Sequence, residues 1–104
     1  MEIKGIGASK GKFKGIARLY IPSLILKPND ILVADFTSPA MSVQIANSSA
    51  VITKYGGMLS HAAIFCRELG IPCIVGVGDE INKISDGDVV LVDGNSGLIK
   101  KIKE

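Results

Sequence analysis

The chain has 104 residues, 47% of them hydrophobic and 21% charged, with 12 Lys and Arg against 10 Asp and Glu. That length supports one core and excludes several catalytic domains with a cleft between them. The apolar content excludes a disordered chain, the net charge of +2 with 5% aromatics offers no basic face for nucleic acid, and no apolar run reaches the roughly 18 residues of a membrane helix.

Met1 to Gly5 lacks the charged and apolar regions of a signal peptide, so a cytoplasmic protein is expected. From Gly5 to Tyr20 a glycine-rich turn precedes an alternating segment, which predicts strand, turn, strand. Lys10, Lys12 and Lys14 fall at period two and read as a solvated face. Pro28-Asn29-Asp30 then breaks the chain, and Ile31-Leu32-Val33-Ala34 has the continuous apolar character of a buried strand. Thr37-Ser38-Pro39 is a helix-start signal that predicts a short helix over residues 40–47, and Ala50-Val51-Ile52-Thr53 reads as another buried strand.

Gly56 and Gly57 form a permissive joint before the strongest helix signal in the chain, Ser60 to Gly70. Ser60 suits the N-cap, apolar residues recur on one face, and Gly70 suits the position just past the last turn. Beyond Ile71-Pro72, residues 73–77 read as a strand, 85–88 as a turn, 89–92 as a strand, 93–97 as a second turn and 98–102 as the closing strand. Cys66 and Cys73 lack CxxC spacing and read as small core residues; one histidine and scattered carboxylates predict no metal site. The sum is a β-rich α/β domain with about two helices, without linker or internal repeat.

His61 is the one side chain whose unperturbed pKa, about 6.5, lets neutral base and cation coexist near neutral pH. With Ser60 as cap it stands in the first turn of its helix, where backbone N–H groups lack helical partners and the dipole favours an anion. Gly56 and Gly57 add unobstructed N–H groups just upstream. His61 is thus the candidate catalytic nucleophile of a phosphohistidine, and Gly56, Gly57 and Ser60 are the candidate phosphate-binding residues. Pattern alone leaves a second reading open, a packed and hydrogen-bonded structural histidine. A Ser60–His61 hydrolytic pair is disfavoured, because adjacent helical residues diverge and no GxSxG elbow is present.

Gly56-Gly57-Met58-Leu59-Ser60-His61-Ala62-Ala63, continuing through Arg67-Glu68-Leu69-Gly70-Ile71-Pro72 to Gly76, resembles the signature of the mobile domain of the phosphoenolpyruvate-utilising enzymes. This is the swivelling phosphohistidine domain, and the run is most similar to the phosphoenolpyruvate synthase type, next to pyruvate phosphate dikinase. Gly5 to Gly15, Ile31–Val33 with Thr37 and Pro39, Ala50–Thr53, and Asp86-Gly87 through Gly97 are similar to the family's other landmarks, so the likeness covers nearly the whole chain. It implies a swivelling β/β/α fold over residues 1–104, here a stand-alone domain. In that fold His61 would shuttle a phosphoryl group between a nucleotide-binding partner chain and a phosphoenolpyruvate/pyruvate-binding partner chain.

Mg²⁺ and ATP or phosphoenolpyruvate are then expected on the partners, with no cofactor on this chain. Leu59 departs from the family's usual threonine, removing a hydroxyl near the phosphate; Lys10 replaces a common proline, and Cys66 and Cys73 replace smaller residues. Two alternatives accompany this reading. One is a non-catalytic partner- or anion-binding module of the same fold, and the other is the small subunit of a dehydratase built on a similar swivelling fold.

Overall fold

Ile, Val and Leu in short runs set the strands, because branched side chains pack well on a pleated surface. The computed structural model describes residues 1–102. Its strands are β1 (Glu2–Lys4), β2 (Ile6–Ser9), β3 (Lys12–Leu19), β4 (Asp30–Ala34), β5 (Ala50–Thr53), β6 (Cys73–Val75), β7 (Val89–Asp93) and β8 (Leu98–Ile102), with helices α1 (Ser42–Asn47) and α2 (His61–Leu69). All eight strands join one sheet in the order β1-β8-β7-β3-β4-β5-β6-β2. Strands β3 to β6 are mutually parallel, and the other neighbours pair antiparallel.

β1 and β2 occupy opposite ends of that order, yet only Gly5 separates them along the chain. One N-terminal strap therefore closes both edges: Ile3 pairs with Ile99 of β8, and Gly7 with Ile74 of β6. Backbone donors and acceptors that an open edge would leave unpaired are covered this way. The closure depends on close backbone approach at glycine. A Cβ on Gly94 would collide with the Ser9 carbonyl, and the Gly5 N–H donates to the Gly97 carbonyl at 2.8 Å.

Side-chain alternation along the strands divides the apolar residues between two cores. Ile31, Val33, Ile52, Ile74, Val90 and Ile99 fill the inside of the curled sheet, together with Val77, Ile81 and Ile84 beyond β6. Leu32, Val51, Cys73 and Val75 point the other way and bury against Met41 and Ile45 and against Ala62, Ala63 and Cys66 of α2. The layers run β, β, α, an α/β fold with two α-helices, as expected from the sequence.

Departures from the expected elements are local. The helix expected over 40–47 is split, with a 3-10 turn at Pro39–Met41 and α1 beginning at Ser42. β6 stops at Val75 because Gly76 takes φ +65°, and a 3-10 helix over Gly78–Lys83 is an additional element that delivers Ile81 to the core. Lys12 and Lys14 are exposed on β3, while Lys10 lies in the turn before it. Cys66 and Cys73 are free and fully buried. Among the described residues no helix is long and apolar enough to cross a membrane.

Candidate functional site

The end of α2 is built by its own caps. Ser60 has extended backbone, and its Oγ accepts from the Ala63 N–H at 3.4 Å. The Ser60 hydroxyl and N–H both donate to the Gly57 carbonyl, at 2.7 and 3.1 Å, closing the preceding segment into a turn. At the far end Gly70 is left-handed, and the Gly70 and Ile71 N–H groups donate to the carbonyls of Arg67 and Cys66, the arrangement that satisfies last-turn carbonyls. His61 is the first residue of this helix and is half-buried.

Parallel pairing of β4 with β5, Ala34 opposite Thr53, sets the loops after both strands side by side at the C-terminal end of the sheet. Two further backbone bonds extend the contact: Lys54 N–H to the Ala34 carbonyl at 3.1 Å and Tyr55 N–H to the Asp35 carbonyl at 2.9 Å. Thr37, in the first loop, thereby meets His61, beyond the second. Thr37 Oγ1 lies 2.9 Å from His61 Nδ1. Phe65, one turn further along α2, stacks on the imidazole with ring centroids 5.5 Å apart and planes 19° apart. Among the described residues Nε2 has no hydrogen-bond partner. With the proton on Nδ1, donated to Thr37, the Nε2 lone pair is free to act as a nucleophile.

The two glycines play different parts. Gly56 adopts φ +115°, a conformation that side chains oppose, whereas Gly57 is not at positive φ and has open space at its Cβ position. Among the described residues the N–H groups of Gly56, Gly57, Met58 and Leu59 meet no protein acceptor. They stand beside the unpaired first-turn donors of α2, a setting that suits an anion. Leu59, next to the cap, is 85% exposed.

Lys54 bridges Asp79 at 3.2 Å, and that hydrogen bond holds its ammonium above the ordinary range. No three carboxylate, His or Cys groups converge among the described residues. Sequence reasoning missed Thr37 as a site residue, because its place before Ser38-Pro39 reads as punctuation. Arg67 was legible only as part of a motif.

Residues 26–97 match the family model described as PEP-utilising enzyme, mobile domain. The chain is 44% identical over 102 residues to a probable phosphoenolpyruvate synthase of Pyrococcus horikoshii, covering 95% of this chain and 12% of that protein. Among solved structures, an Enzyme I solution structure superposes with a TM-score of 0.63 at 28% identity, over 80% of this chain and 34% of that one. A UPF0107 protein superposes over 99% of this chain and 100% of its own, with a TM-score of 0.76 at 19% identity, a likeness that bears on fold alone. The chain spans between 3% and 15% of the length of the curated relatives it is similar to.

Proposed function

The chain belongs to the PEP-utilising enzyme mobile-domain family, and from that premise we propose that it is a phosphoryl carrier with His61 Nε2 as the carrying atom. The observation that supports this most directly is the 2.9 Å contact between Thr37 Oγ1 and His61 Nδ1. It engages one ring nitrogen and leaves the other for chemistry. In the forward step the Nε2 lone pair attacks phosphorus, the N–P bond forms, and the donor's P–O bond breaks with its electron pair leaving on oxygen. The ring gains charge, which the Nδ1–H···Thr37 bond disperses. In the return step an acceptor oxygen attacks phosphorus, the N–P bond breaks and its pair returns to Nε2.

The free N–H groups of residues 57–59 and of the first turn of α2 would receive the phosphoryl oxygens, with Ser60 shaping that turn. Donor and acceptor sites belong to other domains or chains, one binding nucleotide and one binding phosphoenolpyruvate or pyruvate. Mg²⁺ and ATP or phosphoenolpyruvate are held there, which sets the carrier in the cytoplasm. The test is incubation with labelled phosphoenolpyruvate or ATP and the remaining domains of a phosphoenolpyruvate synthase. Acid-labile, alkali-stable label on His61 is expected, and its absence from wild type under conditions where the donor domains are charged would refute the reading.

A further inference from the structure

Arg67 stands in the last turn of α2, where a basic side chain ordinarily faces solvent near the helix C-terminus. Helical side chains slant toward the N-terminus, and this one follows that slant back to the loop that precedes its own helix. Its Nη2 donates to the Met58 carbonyl at 2.7 Å and its Nη1 to the Ala8 carbonyl at 3.0 Å. Both acceptors are singled out by the fold. The β2–β6 register jumps between Gly7, opposite Ile74, and Ser9, opposite Cys73, so Ala8 is the bulged residue, and its carbonyl accepts from the guanidinium. Met58 lies inside the turn that Ser60 closes onto Gly57.

We propose that Arg67 is the positioning residue of the phosphate-receiving loop, a role that rests on the carrier reading above. In a planar trans peptide the N–H points opposite to the preceding C=O. Drawing the Met58 carbonyl onto Arg67 therefore turns the Leu59 N–H away from Arg67, and anchoring on Ala8 references that orientation to the sheet. The planar fork of the guanidinium spans two acceptors at fixed separation, which an ammonium on a single stem does not reproduce. Arg67 thus acts through geometry, not as a charge on the phosphate.

The test uses the full chain with phosphoramidate as phosphoryl donor; the donor's N–P bond breaks, ammonia leaves, and the bond to His61 Nε2 forms. Wild type, Arg67→Lys and Arg67→Ala are compared for uptake rate, thermal melt and backbone amide spectra. Both variants are expected to keep a cooperative melt, to lose uptake about tenfold to a hundredfold, the scale of a misplacement near 1 Å, and to shift amide signals at residues 56–60, at Ala8 and Ser9 and beside position 67, leaving the rest of α2 unmoved. Wild-type uptake in Arg67→Ala, full rescue by Lys, or signal changes spread along all of α2 would each overturn the proposal. If wild type takes no label from phosphoramidate nor from charged donor domains, the carrier reading fails, and the amide shifts still decide whether Arg67 holds the loop. Should the Ala variant not fold, the Lys variant decides alone.

Discussion

Thr37 Oγ1 and His61 Nδ1 meet at 2.9 Å across 24 positions of sequence. Removing the hydroxyl frees the imidazole to place its proton on either nitrogen and to rotate over Phe65. Thr37→Val should lower phosphoryl uptake about tenfold, the scale of one lost hydrogen bond, while Thr37→Ser keeps most of it. His61→Ala should take none and stay folded, losing about 1 kcal/mol with the Phe65 stack. Uptake by the Val variant at the wild-type rate would show that Thr37 does not set the ring.

The glycine pair should respond unequally. Gly56→Ala forces a side chain to φ +115° against Ser60, and should cost about 2 kcal/mol by denaturant unfolding. A Cβ at Gly57 meets no neighbour within 4 Å, so Gly57→Val should keep its stability. Its branched side chain would stand over the loop N–H groups, and uptake should fall more than stability does. Equal loss of stability in the two variants would contradict the assignment of the strained position to Gly56.

The difference between these glycines was invisible in the sequence, where they read as one joint, because φ depends on how Gly56 leaves β5. The helix after them was legible, since Ser60 and Gly70 act within a residue or two of its ends. Thr37 and His61 were not legible as a pair, because only the β4–β5 register brings their loops together. Arg67 presents the same difficulty: its acceptors lie 9 and 59 positions away. The N-terminal strap read as strand, turn, strand, but nothing local says that its two halves pair with opposite edges. The 3-10 helix at Gly78–Lys83 escaped for another reason, since two apolar anchors at Ile81 and Ile84 are too few for a periodic signal.

Closure by that strap gives a prediction far from His61. Gly94 has no space for a Cβ beside the Ser9 carbonyl, so Gly94→Ala must push β2 from the β7–β8 turn. A loss of about 3 kcal/mol is expected, read as an earlier urea midpoint. A wild-type midpoint in this variant would mean that the strap tolerates displacement and does not lock the sheet.

Asp88 supplies a pH signature. Its Oδ2 accepts from the Ser85 N–H at 2.7 Å and lies 3.1 Å from Lys101 Nζ. These bonds, the Ser85 one first, hold its carboxyl below the ordinary 3.8. A carboxylate with a depressed folded pKa contributes stability above its unfolded value and loses it as pH falls through the folded value. Asp88→Asn should therefore be less stable than wild type at pH 6, with the gap closing as the pH falls below the ordinary carboxylate value of 3.8. A gap of equal size at both pH values would assign the effect to something other than ionisation.

Turnover should appear only when the chain is joined by other domains. Phosphoryl transfer from ATP or phosphoenolpyruvate requires cations arranged around the transferring oxygens, usually Mg²⁺ among them. Here Lys54 is committed to Asp79, and among the described residues no acidic groups converge on a metal position. The chain alone should therefore fold and yet release no product from ATP and pyruvate. Added to a phosphoenolpyruvate synthase lacking its own mobile domain, it should restore activity, and the rate should rise with its concentration. A detached carrier forgoes the millimolar effective concentration that a linker provides, so saturation would report docking and a strictly linear rise would report collision alone. His61→Ala should restore nothing at any concentration. Steady product formation by the purified chain without a partner would contradict the carrier reading and require a complete site elsewhere on its surface.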